Sequence, residues 1–107
     1  MLHLAGSAAF RFYQLTGTPP PKVNPPDPND KAAVMQYVKL GFDDVIGLLP
    51  RITPQQLTQK FKVDWKGRPE VSGREMMLGM FVHTTHHRAQ CEVYLRVKNI
   101  APPDYLF

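Results

Sequence analysis

Two histidines four residues apart, His83 and His87, are the residues of this chain with the clearest chemical potential. They fall in segment 72–98, where residues such as Met80 and Cys91 recur with them at steps of three and four. Such steps place side chains on one face of an α-helix, about one turn apart. Because imidazole is a common ligand for zinc, nickel, copper and iron, the pair could bind one ion. Spacing alone leaves open a second interpretation, two core or interface histidines satisfied by hydrogen bonds.

Two further residues of the same helix are weaker candidates. His86 lies roughly 60–100° around the helix from the pair, which is typical of a surface histidine. Cys91 lies one turn beyond His87 and could close the site as a fourth ligand. A small, buried and unreactive thiol is the more common role of such a cysteine.

The segment 83–105, HTTHHRAQCEVYLRVKNIAPPDY, resembles the C-terminal signature of the DinB/YfiT-like family of metal-dependent bundle proteins. In that family an H-x-x-x-H-R-x-Q run precedes a Tyr-Leu-Arg-like stretch and a proline-containing tail. A third histidine comes from an earlier helix ahead of an aromatic-rich segment, and this chain offers His3 in LHLAGSAAFRFY. The resemblance therefore implies a metal site of His3, His83 and His87. The other matching residues are Arg88, Gln90, Leu95, Arg96, Pro102 and Pro103.

The resemblance also implies a chemistry. The implied site would bind a divalent transition metal, with zinc or nickel the preferred candidates. Three imidazoles leave coordination positions open, as in catalytic sites. Family members include thiol-dependent transferases and isomerases, so the implied partner is a small-molecule substrate, with a low-molecular-weight thiol attacking an electrophile; a metal-dependent hydrolase is a related interpretation. The alternative is a non-enzymatic, stress-associated binding or assembly module with a vestigial or structural site. Acid or base candidates near the histidines in sequence are Glu92, Tyr94, Tyr13 and Arg88.

Local signals define the two helices that must position these histidines. Ser72 is a good N-cap and Glu75 can return a bond to it, so a capping box starts the last helix. The segment 1–16 predicts a first helix that carries His3 in its first turn and ends before Gly17. Its predicted inner face consists of Leu4, Ala8, Phe12 and Leu15.

The middle of the chain predicts a connection, two helices and a loop. Segment 18–30 holds six of the eleven prolines and predicts a stiff spacer, with recognition by a proline-binding module the less favoured interpretation. A second helix from residue 29 or 30 to 49 has a wide apolar face typical of a core helix, and Pro50 ends it. Thr53, Pro54 and Gln56 match a capped short helix to about Phe61. The segment 62–71 is predicted as a loop in which Lys66-Gly67 marks a turn and Trp65 packs against the bundle end.

Together these elements predict an all-α, up-and-down helical bundle that forms a single domain over residues 1–107. Compared with the resembling family it is reduced by one N-terminal helix, so either the start lies inside a longer reading frame or the bundle is incomplete. An incomplete bundle would expose apolar faces, and a homodimer through the second helix would cover them. Those faces carry Phe10, Phe12, Tyr37 and Phe42.

Composition narrows the remaining choices. A chain of 107 residues with a net charge of +4 shows no block of like charge and no nucleic-acid-binding motif, so no nucleic-acid partner is expected. One cysteine excludes an intramolecular disulfide. No apolar stretch is long enough to cross a membrane and no secretory signal is evident, so a cytoplasmic protein without a membrane partner is expected.

Overall fold

A computed structural model describes residues 1–19, 22–65 and 67–104, without the side chain of Trp65. The chain is mostly helical, as expected, but the prediction of an all-α fold is wrong in one place, where a small antiparallel sheet precedes the last helix. The elements in order are α1 (Leu2–Thr16), α2 (Lys31–Leu48), a 3-10 turn (Leu49–Arg51), α3 (Pro54–Thr58), β1 (Lys60–Trp65), β2 (Arg68–Ser72) and α4 (Gly73–Val97).

Helix α1 packs against both α2 and α4. Its buried side chains confirm the predicted inner face, which Ala5 and Tyr13 widen on the side of α2. Gly17 ends the helix with φ 71°, a left-handed conformation that glycine adopts without steric cost. His3 therefore lies in the first turn of a helix that is held from two sides.

Helix α2 begins at the predicted position, because the Asp30 side chain accepts a hydrogen bond from the Ala33 N–H. The α-helical conformation ends at Leu48, and Pro50 falls in the 3-10 turn that follows. Leu48 is the only fully buried residue that the structure describes in α2, so the expectation of a core helix is wrong for most of its length. The helix touches the rest of the chain mainly through α1, which covers one narrow side of it.

The segment predicted as a loop forms a β-hairpin instead. In β1 and β2, Phe61 pairs with Val71 and Lys62 with Glu70. The residues of β1 alternate, with Phe61 and Val63 half-buried while their neighbours are exposed, which is the period of a strand with one covered face. Gly67 turns the chain with φ 76°. The predicted role of Trp65 and the structure of Lys66 lie outside the described residues.

The core consists of two neighbouring clusters. One joins α1, α2 and α4 through Phe12, Leu48 and Met80, and the other joins α1, β2 and α4 through Leu15, Val71 and Met76. Ile52 and Met77 pack against both clusters. Full burial of such side chains contributes about 1.5–3 kcal/mol each. The hairpin is thus part of the core that holds α1 beside α4.

Two local features fix where the site-bearing helix α4 begins. Ser72 and Glu75 form the predicted capping box, and Glu75 also pairs with Arg68 of the hairpin. Hydrogen bonds from the Ser72 backbone N–H and hydroxyl, followed by the Arg68 contact, lower the pKa of Glu75 to about 2. Gly73, the residue after Ser72, packs closely against α3. An added Cβ there would lie 2.1 Å from the backbone oxygen of Gln56.

The short helix α3 has the predicted capping box of Thr53 and Gln56 with Pro54 at its first turn. It ends at Thr58, three residues before the predicted end, because Phe61 belongs to β1. Its packing against α4 supplies the Gln56 oxygen that requires glycine at position 73.

Candidate metal centre

Three imidazoles meet where the start of α1 lies against the middle of α4. His83 and His87 are one turn apart on α4, and His3 approaches them from α1. The Nε2 atom of His83 lies 3.2 Å from Nε2 of His3 and 3.1 Å from Nε2 of His87. The ligand atoms of all three side chains lie within 4.8 Å of one another. The structure therefore brings together the three residues that the sequence singled out.

These separations match the dimensions of a metal site. Two nitrogens each about 2.1 Å from one ion, at angles between octahedral and tetrahedral values, are about 3.0–3.4 Å apart. Both Nε2 separations that include His83 fall in that range. His83 and His87 are half-buried and His3 is exposed, so the cluster is supported by the protein on one side and open on the other. The three histidines can hold a metal ion.

Hydrogen bonds orient two of the rings. His87 Nδ1 lies 2.8 Å from Oε1 of Gln90, an amide oxygen that only accepts, so Nδ1 donates its proton and the lone pair stays on Nε2. His3 Nδ1 lies 3.4 Å from Oγ of Ser7. Partners of this kind fix the ring orientation of metal-binding histidines. Neither partner was predicted to orient a ring, although Gln90 lies three residues after His87 and Ser7 four residues after His3, which is helical spacing.

His83 is the most enclosed of the three. Burial, followed by the neighbouring charges of His87 and His3, lowers the pKa of His83, so its imidazole is neutral at pH 7. Its buried Nδ1 has no hydrogen-bond partner within the part of the chain that the structure describes. A neutral imidazole is the form that binds a metal, and His83 is held in that form by its surroundings.

An open groove of about 440 Å³ leads from the cluster along the surface between α1 and α4. Phe10 and Met80 give it apolar walls. Arg11 lines it with a guanidinium that donates to Asp64 and Gln14, each at 3.0 Å. A small molecule could therefore reach the histidines along a surface that is partly apolar and partly formed by Arg11, which is ion-paired with Asp64.

The remaining sequence candidates lie outside the cluster. His86 is exposed, with its ring centroid 5.2 Å from that of His87, and Cys91 contacts the Met1 sulfur at 3.3 Å instead of joining the three histidines. Tyr13 donates to Asp44 on the side of α2. Glu92 accepts from Arg88 at 3.2 Å, and Tyr94 is exposed beside Cys91. The arrangement is thus a three-histidine site without a fourth protein ligand among the described residues.

Fold and site together define a mostly helical protein with a three-histidine cluster that can hold a metal. The family model described as the DinB superfamily matches residues 1–91, a span that includes all three histidines, and the chain belongs to this superfamily. Comparisons with curated proteins and with solved structures found no match. Over residues 1–19, 22–65 and 67–104, no helix has the length and apolar composition needed to cross a bilayer.

Proposed function

We propose that this chain is a metal-dependent enzyme of the DinB type, with an up-and-down bundle in which His3, His83 and His87 hold one divalent transition metal, zinc or nickel. The observation that carries the proposal is the convergence of three imidazoles beside an open groove, which His3 and His83 line. Structural zinc sites are closed by four protein ligands, whereas catalytic sites keep a position for water or substrate. A three-histidine site beside an open groove resembles the catalytic kind.

The reaction that best suits this site is transfer of a low-molecular-weight thiol to an electrophilic substrate. A bound divalent ion lowers the pKa of a thiol or water that it coordinates and so supplies a nucleophile at neutral pH. Gln90 keeps the lone pair of His87 directed into the site. Phe10 and Met80 offer apolar surface to the substrate.

One observation favours a second candidate, a binding or assembly module whose metal site is structural or vestigial. The residues that line the groove are His3, Ser7, Phe10, Arg11, Gly79, Met80 and His83, and none of them is a carboxylate that could act as a general base. Thiol transfer needs no such base if the nucleophile is already deprotonated, whereas hydrolysis commonly uses one. The missing base therefore counts against hydrolysis, and it favours either thiol transfer or the non-enzymatic module.

Metal content tests the site itself. The purified protein should contain about one equivalent of zinc or nickel by elemental analysis, because three ligands come from two packed helices. His83→Ala and His87→Ala should lose most of it, and His86→Ala, the matched control on the same helix, should keep it. A chelator should lower the Tm of the wild type, since an ion bound to the folded state alone stabilises that state. Full metal content in both His83→Ala and His87→Ala would show the assignment to be wrong.

Thiol binding separates the enzyme from the module. In a cobalt-substituted sample, millimolar low-molecular-weight thiol should produce a sulfur-to-metal charge-transfer band, because the imidazoles leave room for an added ligand. The same thiol with its sulfur methylated serves as the control and should leave the spectrum unchanged. If the free thiol also leaves it unchanged, thiol transfer is excluded and the binding module is favoured.

A further inference from the structure

A second groove, of about 250 Å³, lies between α1 and α2 on the other side of Phe10 from the metal centre. Several of the residues that line it are glycine or alanine, whose small size leaves space between the two helices. Tyr13, Tyr37 and Leu40 also line it, and Asp44 is the acidic residue among the described residues of its lining. The other lining residues are Ala5, Gly6, Ala9, Phe10, Val23 and Gly41.

The carboxylate of Asp44 is held in place by a tyrosine. Tyr13 donates its hydroxyl proton to Asp44 Oδ2 at 3.1 Å. Burial, followed by this hydrogen bond, raises the pKa of Tyr13, so the phenol keeps its proton and the pair carries the charge of the carboxylate. A carboxylate accepts at two oxygens, so Oδ1 can take a further donor while Tyr13 keeps Oδ2 fixed.

Asp44 and the adjacent Asp43 differ in whether a basic side chain neutralises their charge. Asp43 points away from the groove and forms an ion pair with Lys39 one turn earlier. Asp44 has no lysine or arginine ion pair within the described part of the chain. Arg51 is close enough to lower the pKa of Tyr13, but this is the smallest of the influences on that residue. The groove thus presents a negative charge beside aromatic rings.

We propose that this groove binds a small organic cation, a primary amine on an apolar body, with its ammonium at Asp44 and its body against Tyr13 and Tyr37. An ammonium donates charge-assisted hydrogen bonds to a carboxylate and is attracted to aromatic faces. The Arg11 guanidinium already lies 5.4 Å from the ring centroid of Phe10, so Phe10 contributes apolar surface only. The volume is below the roughly 300–1,000 Å³ typical of pockets for drug-sized ligands, which selects a small amine. This groove contains none of the three histidines of the metal centre.

The test compares 2-phenylethylamine with 2-phenylethanol, which has nearly the same shape without the charge. The full-length protein is titrated with each at neutral pH, and binding is followed by NMR chemical shifts. We expect the amine to bind about tenfold or more tightly than the alcohol, because only the amine pairs with the carboxylate. Asp44→Asn keeps an acceptor for Tyr13 and should remove this preference. Asp43→Asn makes the same charge change one residue away and should retain it.

A second variant tests the recess without touching its charge. At Gly6 an added Cβ would make an ordinary contact with the Tyr37 hydroxyl at 3.6 Å, so Gly6→Leu can fill the groove without a clash at Cβ. Leucine has a higher helix propensity than glycine, so the Gly6→Leu variant should keep its Tm. Its binding of the amine should be lost because the leucine side chain occupies the groove. Three results would each overturn the proposal. They are equal affinity for the amine and the alcohol, equal effects of the two aspartate substitutions, and unchanged binding in a folded Gly6→Leu variant.

Discussion

At the scale of single residues, the metal centre depends on how its rings are oriented as well as on the three ligands. His87 can present its Nε2 lone pair because Gln90 accepts the proton of Nδ1 at 2.8 Å. His83 has no equivalent partner among the described residues and relies on burial. The two α4 histidines are therefore held by different surroundings, and the Gln90 contact can be removed without removing a ligand.

We expect Gln90→Ala to weaken metal affinity about 10- to 100-fold, the usual effect of losing a partner that orients a ligand. Gln90→Glu supplies a carboxylate acceptor at the same place and should restore most of the affinity. Gln36→Ala, an exposed glutamine on α2, is the control. Competition with a chromogenic chelator measures all three, and an unchanged affinity in Gln90→Ala would mean that the hydrogen bond has no orienting role.

A second residue-scale prediction concerns pH. Because folding lowers the pKa of Glu75 from 4.5 to about 2, its ionised form stabilises the fold above about pH 4.5, and this contribution is lost as pH falls toward about 2. The urea midpoint of the wild type should fall over this window more steeply than that of Glu75→Gln, which should be lower at neutral pH. Glu70→Gln, an exposed change on β2, should follow the wild type. Parallel profiles for wild type and Glu75→Gln would contradict the prediction.

At the scale of elements, two glycines in helices have opposite roles. A Cβ at Gly73 would lie 2.1 Å from the Gln56 oxygen and 2.7 Å from Leu15, so α4 can begin there only with glycine. A Cβ at Gly47 would meet nothing within 4 Å, so glycine only weakens α2 at that position. The first glycine is required by contact between elements and the second is not.

The same substitution should therefore change stability in opposite directions. Gly73→Ala should destabilise by about 1–3 kcal/mol or more, because backbone must move to admit the methyl group. Gly47→Ala should stabilise by about 0.5–1 kcal/mol through helix propensity. Chemical denaturation measures the free energy of unfolding of both variants. A Gly73→Ala protein as stable as the wild type would show that α3 and α4 are not packed as described.

At the scale of the whole molecule, α2 is covered on one side only. Met35 and Ile46 are 62% and 63% exposed and share one face with the half-buried Phe42. Phe12, one of the residues expected on an open face, is buried in the core instead. Exposed apolar side chains of this kind can mark an interface, and this face of α2, which also carries the Lys39–Asp43 ion pair, is where a second copy of the chain could pack.

We expect a homodimer through this face of α2 at low micromolar concentration. Sedimentation should give twice the monomer mass, and Ile46→Lys should shift it toward the monomer because a charge would be buried at the contact. Phe81→Lys introduces the same charge at a 70% exposed position on α4 and should leave the dimer intact. A monodisperse wild-type monomer, or a dimer that only Phe81→Lys disrupts, would contradict the expected contact.

Much of the fold could be predicted because its signals are local. The capping boxes of Ser72 with Glu75 and of Thr53 with Gln56 each join residues three apart, and Gly17 ends α1 through its own φ. The pairing of His83 with His87 has the same origin, since a helix places residues four apart side by side whatever surrounds it.

What the tertiary structure decided depends on residues far apart in the chain. The hairpin requires Lys60 to pair with Ser72, and the alternation in β1 is too short a signal to predict that pairing. The burial of α2 depends on which neighbours cover it, which its own apolar pattern does not determine. His3 lies 80 residues before His83, and only the packing of α1 against α4 brings their Nε2 atoms to 3.2 Å. A helix pattern is set by neighbours along the chain, whereas a metal centre shared by two helices exists only once those helices have packed.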